Sequence, residues 1–386
     1  MSSFDDTPRY VLTEQQHDFR EVIRALVADR IKPRAAQIDA SGEFPEDVRQ
    51  LLADHDLLGL PFEERHGGIG TGALMLCVAI EEIAKACASS ALILAVQDLG
   101  TLPIRLAGSK ELQDRVLPKF ASGEWLAAFA LTESNAGSDL SATSTTARLE
   151  GDHWILNGTK TWISNAGVAD SYVVFAVSDS SVVYSKGMTA FLVEADSDGF
   201  GIAGFEQKMG MRGSPTGQLV FDDVAIPTAN VVGEPGEGFK VVMRTLDRSR
   251  LGIAAQALGI AQGATDYAAA YARERTVFGK PINELQGIQF KLADMETKTA
   301  AARELLYRAA AKIDGNEADI GKYSAMAKLF CSDTAMEVTT EAVQVLGGYG
   351  YVTDYPVERM MRDAKLTQIY EGTNEIQRVV IGRSLR

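Results

Sequence analysis

The sequence predicts a chain that is mainly α with a central β domain, and three observations carry the prediction. Helical periodicity fills the first third of the chain. Between Trp125 and Pro235, β-branched and aromatic residues alternate with polar ones, and turn signals recur at Glu150-Gly-Asp152 and Asp196-Ser-Asp-Gly199. From Gly236 onward the pattern returns to long helical stretches with few internal breakers. These shifts divide the chain into an N-terminal helical domain (1–124), a middle β-barrel or sandwich domain (125–235) and a C-terminal four-helix bundle (236–386).

Taken in order, Thr13 is the expected N-cap of the first helix, with Gln16 at the capping-box position. Phe19, Ile23, Leu26, Val27 and Ile31 form its apolar stripe, and Pro33 bends or ends it. A second helix follows Phe44-Pro45 and is closed by Leu57-Leu-Gly-Leu-Pro61. The glycines at 67, 68, 70 and 72 invite a dinucleotide-binding reading, which fails because no strand precedes them. Residues 73–121 are helical, and the Ala/Leu/Ile/Val-rich segment through Ala95 is apolar on nearly every face, as a buried helix is. In the last third, Phe239–Arg273, Leu285–Ile313 and Ile320–Leu346 each read as one helix, and shorter helices follow Pro356 and Gly372.

The bulk numbers exclude several classes. A chain of 386 residues with 46% hydrophobic and 23% charged content can bury a sizeable core unaided. A net charge of −14 argues against nucleic acids and anionic membrane surfaces as general partners. Cys77, Cys87 and Cys331 are scattered in apolar helical patterns without metal-ligand spacing, which fits buried reduced thiols and a cytoplasmic location. Met1 to Asp6 lack the order of a secretory signal or transit peptide, and no run is expected to span a membrane.

The stretch that concentrates chemistry is Lys365-Leu-Thr-Gln-Ile-Tyr-Glu-Gly-Thr-Asn-Glu-Ile-Gln-Arg378. Glu371 stands between an aromatic residue and a glycine, where helical pattern breaks. An apolar flank of Leu366, Ile369 and Tyr370 would raise its pKa toward roughly 6 to 7, which suits proton abstraction. The bland alternative is a helix-terminal glutamate facing the macrodipole. In the β region, Phe129-Ala-Leu-Thr-Glu-Ser-Asn-Ala-Gly-Ser-Asp139 ends a strand in small residues that let backbone approach a flat ligand. Trp162 is an aromatic wall or a core tryptophan, and Ser164 a nearby donor. Arg275 can hold a pyrophosphate or make surface ion pairs, and Gly347-Gly348 can offer backbone N–H groups or cap a helix.

Met360-Met-Arg-Asp-Ala-Lys365 with Gln368-Ile-Tyr-Glu-Gly-Thr-Asn-Glu-Ile-Gln377 resembles the C-terminal signature of the acyl-CoA dehydrogenase family, and the resemblance extends over essentially the whole chain. It implies an all-α, all-β, all-α architecture, FAD as cofactor, an acyl-CoA substrate, an electron-transferring flavoprotein as electron acceptor and a homotetramer. Glu371 stands where the family has its base. Relatives with the base on the long helix carry Glu where this chain has Ser249, so the C-terminal position is assigned. The resemblance places Phe129, Leu131, Thr132, Gly137, Ser138, Trp162, Ile163, Ser164, Thr373, Asn374 and Glu375 at the flavin. A second flavin surface, supplied in relatives by the neighbouring subunit, would comprise Arg275, Thr276, Val277, Phe278, Gln286, Gln344, Val345, Leu346, Gly347 and Gly348. Ser138, Ser185, Asp247, Arg250, Gly372 and Arg383 match substrate contacts, and Ala91 to Gln97 would floor the acyl cavity. An acyl-CoA oxidase and a silent CoA-binding scaffold are the competing functions on the same frame.

Overall fold

The computed structural model describes residues 12–386, so the reading of Met1 to Asp6 lies outside the described residues. Helix α1 (Glu14–Leu26) starts on the expected capping box: Gln16 N–H donates to Thr13 Oγ1 at 3.3 Å and Thr13 N–H to Gln16 Oε1 at 2.9 Å. Pro33 neither ends the helix nor leaves it intact. Its ring cannot sit under the carbonyl four residues back, and the chain passes through a π turn (Val27–Ile31) and a 3-10 turn (Lys32–Arg34) into α2 (Ala35–Ser41). Helix α3 (Glu46–Asp54) stops short of Leu57, because Asp56 takes a left-handed φ of 55° and Leu57–Gly59 forms a separate 3-10 turn. The glycine-rich loop follows a 3-10 turn, Glu64–His66, rather than a strand.

Three helices follow: α4 (Gly72–Ala84), α5 (Ala88–Ala107) and α6 (Lys110–Ala121). Every residue of α5 from Ala88 to Ile104 is buried. By length and composition alone α5 is apolar enough to cross a membrane, with a mean hydropathy of 1.3, but 78% of that window is buried inside the protein, as in a core helix.

The β region holds β1 (Ala127–Ala130), β2 (Thr146–Glu150), β3 (His153–Ser164), β4 (Ser171–Val177), the short helix α7 (Tyr184–Gly187), β5 (Met188–Glu194), β6 (Phe200–Phe205), β7 (Thr216–Pro227) and β8 (Val231–Val232). They form one sheet in the order β6-β7-β3-β2-β4-β5-β8, with β1 parallel to β4. Alternate residues of β3, β4, β5 and β7 meet in one core, including Leu156, Tyr172, Phe191 and Leu219, so the sheet is rolled about its own apolar face. Its other face, with Val173, Phe175 and Leu192, packs on Ile104, Leu117 and Val242.

Helix α8 (Gly238–Glu274) leads through the two-residue strands β9 (Thr276–Val277) and β10 (Lys280–Pro281) to α9 (Gln286–Asp314), α10 (Ile320–Leu346), α11 (Pro356–Thr367) and α12 (Asn374–Arg383). One continuous core joins α1, α4 and α5 to α8, α9 and α10, so the two helical regions bury a single interior. Gly259 and Gly263 make this possible: a Cβ there would sit 2.3 Å from the Glu81 carbonyl oxygen and 2.2 Å from that of Lys85. Helix α8 therefore touches both helical regions and the sheet, and it carries Asp247, Ser249 and Arg250.

Candidate active site at the α8, α10 and α12 junction

Between α11 and α12 the chain makes a sharp turn. Glu371 has φ 51° and Gly372 φ 89°, and Thr373 then caps α12, accepting from Ile376 N–H at 3.4 Å. Glu371 is thus not a helix residue facing a macrodipole. A left-handed conformation costs a non-glycine residue about 1 to 2 kcal/mol, so its surroundings must hold it. Glycine suits position 372 because a φ of 89° is one that residues with a Cβ rarely adopt.

The Glu371 carboxylate accepts a hydrogen bond from Ser249 Oγ on α8 at 2.7 Å. Burial pushes its pKa up to about 7, the Ser249 bond opposes the shift, Asp98 adds to it, and Arg250 and Lys328 oppose it. The expected direction holds, but the burying atoms are not the apolar flank alone. Ile369 is half exposed, and the Tyr370 hydroxyl donates to Gln256 on α8.

Beside this pair, Arg250 Nη1 donates to Asp247 Oδ1 at 3.2 Å, and burial raises the Asp247 pKa. Arg250 Nε is buried with no partner among the described residues. On the far side, Lys328 Nζ donates to the Gly372 carbonyl at 2.9 Å and to Asn374 Oδ1 at 2.8 Å. The Asn374 amide also bonds Ser332 and Asp333, so this side chain is committed to holding α12 on α10 rather than open to a ligand. Thr373 is spent on its cap, and Glu375 is exposed.

A second group lies where β1 runs into its loop. Thr161 N–H donates to the Thr132 carbonyl at 2.9 Å, which brings Leu131 and Thr132 against Trp162, Ile163 and Ser164. Beneath them, Lys160 is fully buried and donates to Glu133 Oε1 at 2.7 Å and to the Leu131 carbonyl at 3.0 Å. Burial works against ionisation of Glu133, but Lys160 and the Ser144 and Thr145 bonds win and hold it down at about 2. Trp162 is not a core residue: it stands 60% exposed at φ 61°. The Phe129 ring packs at a tilt against Phe175, centroids 5.0 Å apart, and Gly137 and Ser138 lie exposed in the following turn.

A third group forms a groove of about 940 Å³ lined by Arg275, Val277, Val345, Leu346, Gly347 and Gly348, with Tyr349 and Tyr355. Two segments far apart in sequence are thus brought to one surface. Thr276, Phe278, Gln286 and Gln344 are exposed beside it, with Phe278 at the β9–β10 turn. No carboxylate pairs with Arg275 among the described residues; its guanidinium stands 5.3 Å from the Tyr349 ring centroid. Gly347 needs correction, because it caps α10 with its N–H bonded to the carbonyls of Gln344 and Val343 and so has none to offer a pyrophosphate. No atom lies within 4 Å of a Cβ built on Gly347 or Gly348, which leaves the groove open there.

Ser185 sits partly buried on α7, and Arg383 is exposed at the end of α12. Hydrogen bonds among the described residues tie neither of these, nor Ser138, to the Glu371 cluster. Sequence reasoning missed Lys328, Gln256, Glu133 and Lys160. For Lys328 a signal exists: Ser324, Lys328 and Ser332 repeat at a spacing of four within an apolar helix, a buried polar stripe.

An FAD fits these surfaces. The exposed indole offers a stacking face, the open glycines leave room for backbone contact, and the unpaired guanidinium suits a pyrophosphate.

Family models for the acyl-CoA dehydrogenase N-terminal, middle and C-terminal domains match residues 13–124, 128–224 and 236–386. The chain is 48% identical to the probable acyl-CoA dehydrogenase FadE25 of Mycobacterium tuberculosis, over 97% of this chain and 96% of that one. It is 46% identical to the cyclohexane-1-carbonyl-CoA dehydrogenase of Geobacter metallireducens, over 97% and 98% of the two chains. The solved butyryl-CoA dehydrogenase of Megasphaera elsdenii superposes with a TM-score of 0.94 at 44% identity, covering 98% and 99%. Fold, site geometry and these likenesses agree: the chain belongs to the acyl-CoA dehydrogenase family and is an FAD-dependent oxidoreductase.

Proposed function

We propose that this enzyme removes hydrogen across the α,β bond of an acyl-CoA thioester to give the trans-2-enoyl-CoA, with Glu371 as the base that takes the α-proton. One observation carries the reading: a carboxylate whose pKa burial lifts to about 7 stands on a strained turn against α8, where the matched substrate positions Asp247 and Arg250 also lie. Such a group is ionised in useful amount near neutrality and is a far stronger acceptor than an ordinary glutamate. Ser249 holds the carboxylate but cannot replace it, since an unactivated hydroxyl is no base.

When bound, FAD supplies the acceptor for the β-hydride. The chain's part is to orient and to exclude water. The α-proton is too weak an acid for a carboxylate unless charge developing on the thioester oxygen meets fixed donors, and the Glu371 backbone N–H is one such donor. The free Nε of buried Arg250 is a polar contact for the CoA arm, joined by Asp247, Gly372, Ser138, Ser185 and Arg383. Phe129 to Ser138 with Trp162 to Ser164 form the near flavin surface. The Arg275 groove forms the other surface for a neighbouring subunit's flavin, in a homotetramer of cytoplasmic location that passes electrons to an electron-transferring flavoprotein. The division at 1–124, 125–235 and 236–386 goes with this arrangement.

The acyl group is open, since relatives of similar identity are named for a butyryl and for a cyclic acyl group. Anaerobic titration with straight, branched and cyclic acyl-CoAs, read as bleaching of the flavin band, tests the proposal and ranks substrates. A flavin that no acyl-CoA bleaches would end it, and rapid reoxidation by oxygen alone would favour the oxidase.

A further inference from the structure

Lys328 lies on α10 with no exposed surface, in the stripe between Ser324 and Ser332. A buried lysine needs a reason, because removing an ammonium from water is costly unless it is paired. Its partners supply one. Both of its hydrogen bonds go to the segment just after Glu371, one to the Gly372 carbonyl and one to Asn374. Gln377 Nε2 adds a second donor to the same carbonyl at 2.9 Å, and the Gly372 carbonyl thereby points into α10. Fixing that carbonyl fixes the peptide that follows Gly372 and, with it, the left-handed turn.

We propose that Lys328 is a positioning residue for the reaction: its ammonium pins the turn Glu371–Gly372 from the α10 side, so that the carboxylate meets Ser249 on α8. The turn is then clamped between two helices, by Ser249 and Gln256 on α8 and by Lys328 on α10. The clamp is also electrostatic. Charged groups facing Glu371 or Lys328 are Asp98 on α5, Arg250 on α8, Asp333 on α10 and Glu375 on α12. Burial pushes Lys328 down to about 7 and Glu371 up to about 7, and each charge favours the other.

The inference rests on Glu371 as base, and the test separates the two. In FAD-loaded wild type, Lys328→Met and Lys328→Gln, the Glu371 carboxyl is titrated by difference infrared spectroscopy against Glu371→Gln, which identifies its C=O band without any turnover. Loss of the cation should raise the midpoint in both variants. Flavin reduction by acyl-CoA should fall roughly 10- to 100-fold in Lys328→Met, as expected for a reacting group displaced by about 1 Å, with the acyl-CoA dissociation constant unchanged. Lys328→Gln keeps a donor for the Gly372 carbonyl and should recover most of the rate while keeping the raised midpoint. An unmoved midpoint in Lys328→Gln overturns the proposal even if Lys328→Met does not fold, and so does a wild-type reduction rate in Lys328→Met. Turnover surviving in Glu371→Gln would instead remove the base assignment and leave the infrared result standing.

Discussion

Ser249 Oγ lies 2.7 Å from Glu371 Oε2, joining two residues 122 positions apart in the chain. That single bond ties the longest helix, α8, to the turn between α11 and α12. It directs the carboxylate and partly offsets the rise in the Glu371 pKa that burial causes.

Replacing Glu371 by Gln keeps shape and removes the proton acceptor. Flavin reduction in stopped flow should fall by roughly 100- to 10,000-fold, the range for losing a general base, while FAD and acyl-CoA still bind. In the wild type the reduction rate should rise with pH through a midpoint near the raised value of about 7.

The same variant has a stability signature. A carboxyl whose folded pKa lies above its unfolded value binds more protons when folded, so wild-type stability declines as pH rises from about 4.5 toward about 7. Glu371→Gln lacks this decline. Its melting temperature relative to wild type should therefore climb between those pH values and level off above them. A variant less stable at pH 8 than at pH 5, each compared with wild type, would contradict the burial account.

Glu133→Gln strands a buried ammonium at Lys160. Breaking such a pair costs about 3 to 5 kcal/mol, so the denaturant midpoint should drop clearly. Because Lys160 also holds the Leu131 carbonyl beside Trp162, FAD retention on gel filtration should weaken as well.

Arg275→Ala should loosen FAD without unfolding the chain, because the side chain is exposed and has no ion-pair partner among the described residues. Equilibrium dialysis of FAD measures this, and unchanged affinity would remove the Arg275 groove from the flavin site.

Sedimentation should give a tetramer. A stable monomer with full activity would refute a flavin site completed between subunits.

Much of this was legible in the sequence because it depends on local pattern. The capping box at Thr13, the bounds of Ile320–Leu346 and the break at Gly372-Thr373 after Glu371 are short-range signals, and each appears where the sequence pattern places it. Contacts that need the third dimension were not legible. Gln256 and Lys328 look like stray polar residues in apolar helices until α8 and α10 are packed around the turn. Pro33 shows another limit: its missing donor was plain, but not that the chain would continue through a π turn with Ile31 buried in the core.

The burial of α5 has a consequence for how the protein is made. This helix leaves the ribosome well before α8, which begins at Gly238 and supplies much of its cover. Translation proceeds at roughly 5 to 20 residues per second, so α5 waits about 7 to 26 seconds before the start of α8 is made. During that interval an apolar helix long enough to span a bilayer has α4, α6 and the sheet beside it but lacks the cover that α8 supplies, and a nascent chain halted before Gly238 should bind chaperones or aggregate more readily than the full chain. The core of the first third is therefore completed only when the last third of the chain has been made.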